Sequence, residues 1–432
     1  MFALVDANNF YVMAHTIGRP SLKGQPVVVL SSNDGNAVAR SQEAKALGVK
    51  MGQPYFELRD LELHHGLICL SSNMELYADI SDRVMTLAAG LGPTQEIYSC
   101  DESWISGLDG IPNLTDRARR VRARIAKWVG VPTCIGLAPT KTLAKFCNHV
   151  AKEAERKPGS YPAELAQVCN WRECSEDLRV QLLRATAAGE VWGIGRKVGA
   201  RLAENGILTA WDVARMPAEQ ARAVWGVMLE RTVRELQGIS CIPMELEPPP
   251  RQQIACTRSF GHPITTLPPL EEAVSEFASK GAFKLRAQRL RAASVLVFLR
   301  TSPFRPGRQF SRSVAIPLQP PSSDTTQIVA AALRGLRSIY APGYMLAKAG
   351  VLLLDLSSQD VQQMELLAGP VERDHSALME AVDKINGRFG RGAVQLASSG
   401  YAHTDESGWR QRQEMPTPRF TTRLDEIPIA RA

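Results

Sequence analysis

Three consecutive prolines at 248–250, inside "MELEPPPRQQ" (244–253), set the first constraint on the fold. They cannot continue a helix, and they favour an extended tether. The chain on either side must then fold separately. A length of 432 residues exceeds one ordinary core, so about three or four domains are expected.

After the tether, "IACTRSF" reads as a strand and 270–292 as a helix. "SVLVFLR" and "RSVAI" read as strands, 325–340 as a helix, and "AGVLLLDL" as a closing strand. That order is β-α-β-β-α-β. Before the tether, "FALV" (2–5) is an apolar strand ending at Asp6, and "PVVVL" (26–30) is a second. Ser72-Asn73-Met74-Glu75 has the form of a capping box, opening a helix with Leu76, Ile80 and Val84 on one face. A strand "PTCIGLA" (132–138) and the helix "TKTLAKFCNHVAKEAE" follow. Alternating strands and helices suggest an α/β or α+β first domain. From about 165 to 238 short amphipathic helices predominate, as in a small helical domain. The C-terminal stretch lacks a strong core signal. Its "QEMPTPRFTTRLDEIP" is expected to be extended or ordered by contacts elsewhere.

Composition narrows the class. Hydrophobic residues make up 44% and charged residues 22%, as in soluble globular chains. No apolar run approaches the ~20 residues that cross a bilayer, and the N-terminus carries no signal-like stretch. A cytoplasmic protein that does not bind membranes is expected. The eight cysteines form no CxxC pair, which argues against disulfides and zinc. Net charge is +7, but Arg251–Arg312 alone holds eleven Lys/Arg against three Asp/Glu. That local surplus favours a polyanionic partner. The basic run at 116–128 reads instead as a solvated helix face.

Asp101 and Glu102 stand side by side in "YSCDESWIS" (98–106), a run that otherwise reads as a strand. A solvent-facing turn and a metal site both account for them locally. Asp6 ends another apolar strand 95 positions earlier. If the two strands are neighbours, three carboxylates meet, and divalent cations would relieve their repulsion. Mg²⁺ suits carboxylates plus substrate phosphates. Adjacent residues on a regular strand face opposite ways, so Asp101 and Glu102 could share a site only where the strand bends or ends.

Three further stretches carry charge or glycine. In "VWGIGRKVGARL", Gly193 and Gly195 make a turn that presents backbone N–H groups and Arg196 and Lys197, suited to a DNA phosphate; a plain interhelix turn reads the same way. "ARSQEAKALGVKMGQP" (39–54) carries Arg40, Lys45 and Lys50 in a turn-helix-turn. Lys141 and Lys145, at i and i+4, share a helix face. Such cations could hold a triphosphate or simply face solvent.

Together these stretches resemble the Y-family of translesion DNA polymerases, of the UmuC type. "ALVDANNFY" is similar to the family's first metal motif and "YSCDES" to its second. "LSSNDGNAVARSQEAKALGVKMGQPYF" resembles the fingers, and "IGLAPTKTLAKFCNH", "VWGIGRKVGARL", "TRSFGHPIT" and "TPRFTTR" follow in the family's order. The resemblance implies an α+β multidomain right hand. Its palm would be 1–30 and 75–165, its small fingers 31–74, and its helical thumb with helix-hairpin-helix 166–240. A linker (241–253), a βαββαβ little finger (254–356) and a partner-binding extension (357–432) would follow.

It also implies roles. Asp6, Asp101 and Glu102 would be catalytic, binding two Mg²⁺ together with the Ala7 carbonyl. Tyr11 would be the steric gate against a 2′-hydroxyl. Arg40, Lys45 and Lys145 would join Tyr11 in holding the dNTP. Lys141, Gly193, Gly195, Arg196 and Lys197 would contact DNA. Gln363, Met364, Leu366 and Leu367 stand where a sliding-clamp peptide is usual, without its terminal aromatic. Implied partners are primer-template DNA, dNTPs, a UmuD′-like dimer, a RecA filament and the sliding clamp, at the nucleoid. The implied activity is error-prone lesion bypass in the SOS DNA-damage response. A non-catalytic DNA-binding or recruitment subunit is the alternative, and the polymerase IV branch a further one that the "TPRFTTR" end disfavours. Two departures stand out. Cys100 replaces the usual Ile and is expected to face away from the metals. "VMAHTIGRP" (12–20) differs from the usual Cys-Glu-rich helix beneath the gate.

Overall fold

The computed structural model describes residues 1–247, 249–360, 375–390, 392–400, 409 and 412–427. The chain forms two compact units. The first comprises Met1–Ser31, Gly35–Pro248 and the described part of 415–432; the second comprises Ser32–Asp34 and the described part of 249–414. No described helix is long and apolar enough to cross a membrane.

The first unit contains two sheets. The larger is built from β1 (Phe2–Ala7), β5 (Thr94–Ile97), β6 (Glu102–Ser106), β7 (Thr133–Ala138) and β8 (Val168–Asn170). Its order is β5-β6-β1-β7-β8, antiparallel except for the β7–β8 pair. Side chains alternate across β1. Ala3 and Val5 pack with Leu76, Tyr77, Ile80, Val84, Ala118 and Ile125 from the helices Met74–Ala88 and Leu114–Val129. Leu4 instead joins Leu143, Ala144, Cys147 and Val150 of the helix Lys141–Arg156. That helix lies directly on β7, because a Cβ at Gly136 would overlap the backbone of Ala144 and Asn148. Asp6 shares the face of Leu4, so the same helix covers it.

The smaller sheet joins β2 (Val27–Leu30), β3 (Ala37–Arg40) and β4 (Ile68–Ser71) in the order β3-β2-β4. Thus β2, expected in the palm, pairs with two strands of the fingers segment. Val28 and Leu30 also pack with the fingers residues Ala44 and Leu58. Similarly, β8 lies inside the stretch read as a small helical domain, yet it extends the larger sheet beside β7. It has only three residues, too few for a periodic signal. The helix Met74–Ala88 is capped by Asn73, whose side chain accepts from Leu76 N at 3.2 Å, rather than by a Ser72 capping box.

The second unit holds β9 (Ile254–Ile264), β10 (Leu290–Thr301), β11 (Ser311–Ser322) and β12 (Leu346–Ser358) in the order β11-β10-β12-β9. With the helices Leu267–Ala287 and Thr325–Ile339 it reproduces the expected β-α-β-β-α-β order. Val295, Val297 and Leu299 alternate inward opposite Leu353, Val351 and Ala349. The C-terminal stretch adds the helix Ser376–Phe389 and a buried Trp409, edge-on to Phe277 at 6.0 Å.

Candidate active site

The site is assembled where β1 ends. Asp6 lies directly opposite Glu102 in the β1–β6 pairing. Asp101 stands just before β6, on a bend. Tyr98 N and Ser99 N both donate to Glu102 O at 3.1 Å, which turns the chain. Ser99 Oγ accepts from Asp101 N (3.2 Å) and Glu102 N (3.0 Å), and donates to Asp101 Oδ1 at 2.6 Å. Ala7 N in turn donates to Asp101 O at 2.8 Å. The bend releases the two acids from strand alternation, so both line one pocket with Asp6.

That pocket measures about 340 Å³ and gathers residues from distant stretches. Asp6, Ala7, Tyr11, Arg40, Lys45, Asp101 and Glu102 all line it, as the sequence reading expected of one site. Lys152 and Arg156 join them unforeseen. They continue the stripe of Lys141 and Lys145 along one helix face, at seven and eleven residues past Lys145, so carrying the helical period on by two and three turns finds them. Asn9 adopts the left-handed region (φ 50°), turning β1 sharply into the helix Phe10–Gly18. Tyr11 thereby sits in the first turn, over the pocket.

The electrostatics are balanced by ammonium groups. Lys152 Nζ pairs with Asp6 Oδ2. Lys145 Nζ pairs with Glu102 Oε2 at 2.8 Å and faces the rings of Tyr98 and Trp192. Burial pushes the Asp6 carboxyl up to about 7, a rise that Lys152 opposes and Glu102 reinforces. Burial, with Arg156 and Arg40 nearby, lowers Lys45 to about 8. Lys45 Nζ donates to Asn9 Oδ1 at 3.3 Å. Arg40 donates from Nη1 to Val49 O at 2.7 Å, while its buried Nε has no hydrogen-bond partner among the described residues. An orphaned guanidinium N–H in a cationic wall suits an anionic ligand.

Among the described residues, no three His, Cys, Asp or Glu side chains close on one point as a ready metal cage. The donor set still fits a hard divalent cation: three carboxylates on one pocket, two of them held by ammonium groups.

Other expectations fall differently. Cys100 does not turn away: its Sγ donates to Tyr11 Oη at 3.5 Å and lies 3.9 Å from Asp101 Oδ1. The bend redirects it, just as it redirects the acids. The Cys100 contact, with burial, raises the Tyr11 hydroxyl to about 12. Lys141 is buried, donating to Glu96 Oε2 (2.6 Å) and Pro243 O (2.8 Å). It holds the protein together and does not face a nucleic acid, so the expected DNA contact is not retained. Lys145 stands behind Glu102 and outside the pocket lining. Gly193, Gly195, Arg196 and Lys197 are exposed around the start of the helix Arg196–Glu204. Gly193 has φ +92°, and a Cβ there would crowd Thr232 Oγ1. Gln363, Met364, Leu366 and Leu367 lie outside the described residues.

A five-stranded sheet ending in three carboxylates, joined to a cationic fingers element and a βαββαβ domain, defines a Y-family polymerase fold. A solved Y-family DNA polymerase chimera, Dbh-Dpo4(243-245)-Dbh, matches with a TM-score of 0.61 at 20% identity, covering 82% of this chain and 99% of that one. Residues 5–149 match the impB/mucB/samB family and 251–366 its C-terminal domain; 376–430 match a domain of unknown function, DUF4113. Protein UmuC of Salmonella typhimurium is 39% identical over 431 residues, 99% of each chain. Protein SamB of the same organism is 39% identical over 435 residues, the full length of both. The chain belongs to the impB/mucB/samB family of Y-family polymerases.

Proposed function

We propose that this translesion DNA polymerase of SOS mutagenesis adds deoxyribonucleotides to a primer 3′-hydroxyl at the pocket formed by Asp6, Asp101 and Glu102. The observation that carries the reading is the pairing of Asp6 with Glu102, with Asp101 bent into the same pocket. Asp6, Asp101, Glu102 and the Ala7 carbonyl would hold two Mg²⁺. When bound, these ions neutralise phosphate charge and activate the primer hydroxyl. Glu102 helps accept the proton of the primer hydroxyl. Arg40 and Lys45 receive the triphosphate, and Arg156 extends the cationic wall. Lys145 acts through Glu102 by fixing its carboxylate. Tyr11 bars a 2′-hydroxyl by bulk.

Gly193, Gly195, Arg196 and Lys197 grip the DNA backbone, and the surplus charge of 251–312 grips it again. The proposed palm, fingers, thumb, little finger and C-terminal extension follow the bounds read from sequence, except that β2 is assigned to the fingers and β8 to the palm. A UmuD′-like dimer, a RecA filament and the sliding clamp are the proposed partners, at the nucleoid. The test is primer extension with Mg²⁺ and dNTPs. Asp101→Asn should lose at least about a hundredfold in rate, as removal of a charge-stabilising group does. Equal extension by both proteins would end the assignment.

A further inference from the structure

After the second unit, the chain returns to the first with residues 415–427. There the "TPRFTTR" stretch is fastened underneath Tyr11 by a chain of contacts. Tyr11 stacks on Tyr77, with centroids 4.4 Å apart and planes 27° off parallel. The Tyr77 hydroxyl shares a 2.6 Å hydrogen bond with His15 Nε2. His15 Nδ1 shares one of 3.1 Å with Thr417 Oγ1. Asn73 Nδ2 donates to Thr417 O and Oγ1, both at 3.2 Å, while its Oδ1 caps the helix bearing Tyr77. Thr417 therefore ties together the two helices that carry the stacked tyrosines.

Phe420 makes a second fastening. It packs on the same hydrophobic core as Tyr11, against Gly18, the C-terminal residue of the helix Phe10–Gly18. A Cβ at Gly18 would overlap its ring, so glycine at that position admits the phenylalanine. His15 and Tyr77 are almost fully buried, at 1% and 2% exposure. Burial lowers the imidazole pKa to about 4 and raises that of the Tyr77 hydroxyl, so both are neutral at pH 7. Each can then donate one hydrogen bond and accept another, which keeps the relay intact.

We propose that Thr417 and Phe420 are positioning residues for sugar selection: the C-terminal strap fixes the height and tilt of Tyr11 through His15 and Tyr77. The inference rests on Tyr11 as the gate. Loosening the strap lets the Tyr11 ring recede, and a ribonucleoside triphosphate then enters more readily.

The experiment is single-nucleotide insertion by the full chain on primer-template DNA with Mg²⁺, comparing kcat/KM for one dNTP and its rNTP. The ratio is taken on one preparation, so a loss of active fraction cancels. Phe420→Ala removes the wedge from the strap, and G18A expels it from the other side. Thr417→Val breaks the relay at nearly constant volume. Each should lower the dNTP/rNTP ratio at least about fivefold, well inside the loss that an ångström of misplacement produces. Phe420→Leu should restore most of it, and DNA affinity by gel shift should hold. Tyr11→Ala separates the two claims. If it relaxes the ratio while the strap variants leave it unchanged, the strap has no such role and the gate stands. If Tyr11→Ala itself changes nothing, the gate reading falls and the strap inference with it.

Discussion

Lys145 Nζ lies 2.8 Å from Glu102 Oε2. The ammonium also faces Tyr98 and Trp192, with their ring centroids 5.1 and 5.5 Å away. Three contacts thus hold one cation behind a carboxylate that faces the pocket. Lys145→Ala frees Glu102 to rotate. We expect insertion efficiency to fall about tenfold, less than the roughly hundredfold or more that losing an acid–base group costs, because Glu102 itself remains, with DNA affinity unchanged in a gel shift. Lost DNA affinity would instead make Lys145 a template contact.

Lys152 holds Asp6 on the same helix face. Lys152→Met leaves a buried acid without its counter-ion. Burial already raises Asp6 to about 7, so the acid can take up a proton and limit the penalty. Urea unfolding in EDTA should show a loss of about 1–2 kcal/mol. Mg²⁺ should recover more stability in the variant than in the parent. Equal recovery in both would show that Asp6 and Lys152 are not linked to cation binding.

Lys141 pairs with Glu96 at 2.6 Å, with 2% and 7% of the two side chains exposed. Lys141→Ala leaves buried Glu96 without its counter-ion, with only Glu245 N among the described residues still donating to Oε2, and removes a donor from Pro243 O. The expected cost is about 3–5 kcal/mol of stability. The folded fraction should bind DNA as the parent does. A weaker gel shift at full stability would return Lys141 to the DNA-contacting set.

His15 gives a pH signature. Its pKa in the fold is about 4, below the ordinary 6.5. Between those values the unfolded chain binds the extra proton, so stability falls as pH drops from 6.5 towards 4. The shift is worth up to about 3 kcal/mol at 1.36 kcal/mol per unit. Above 6.5 the residue adds no slope. Asp6, raised from 3.8 to about 7, titrates with the opposite sign across the same range, so the difference between the parent and His15→Gln isolates the imidazole. Parallel stability profiles from pH 7 to 4 would show that His15 is not buried neutral.

Much of this was legible in the residues. The strand "FALV" ending at Asp6, the helix following Thr140 and the β-α-β-β-α-β order all follow from periodicities of 2 and 3.6 that lie within single elements. Tyr11, Arg40 and Lys45 were expected at the nucleotide and line one pocket. The exchanges at β2 and β8 were hidden because a short apolar strand carries no mark of which sheet it joins. Lys141 was misread because i, i+4 spacing places two lysines on one face without saying what lies opposite.

Most of the elements, their order and the residue types available for phosphoryl transfer could be read from the chain alone, since backbone geometry follows local pattern. Only the tertiary structure decided that Asp101 bends towards Asp6, that Cys100 meets Tyr11, and that Thr417 reaches His15 across 402 positions. Burial, charge pairing and pKa depend on distance through space, and distance along the chain does not encode it.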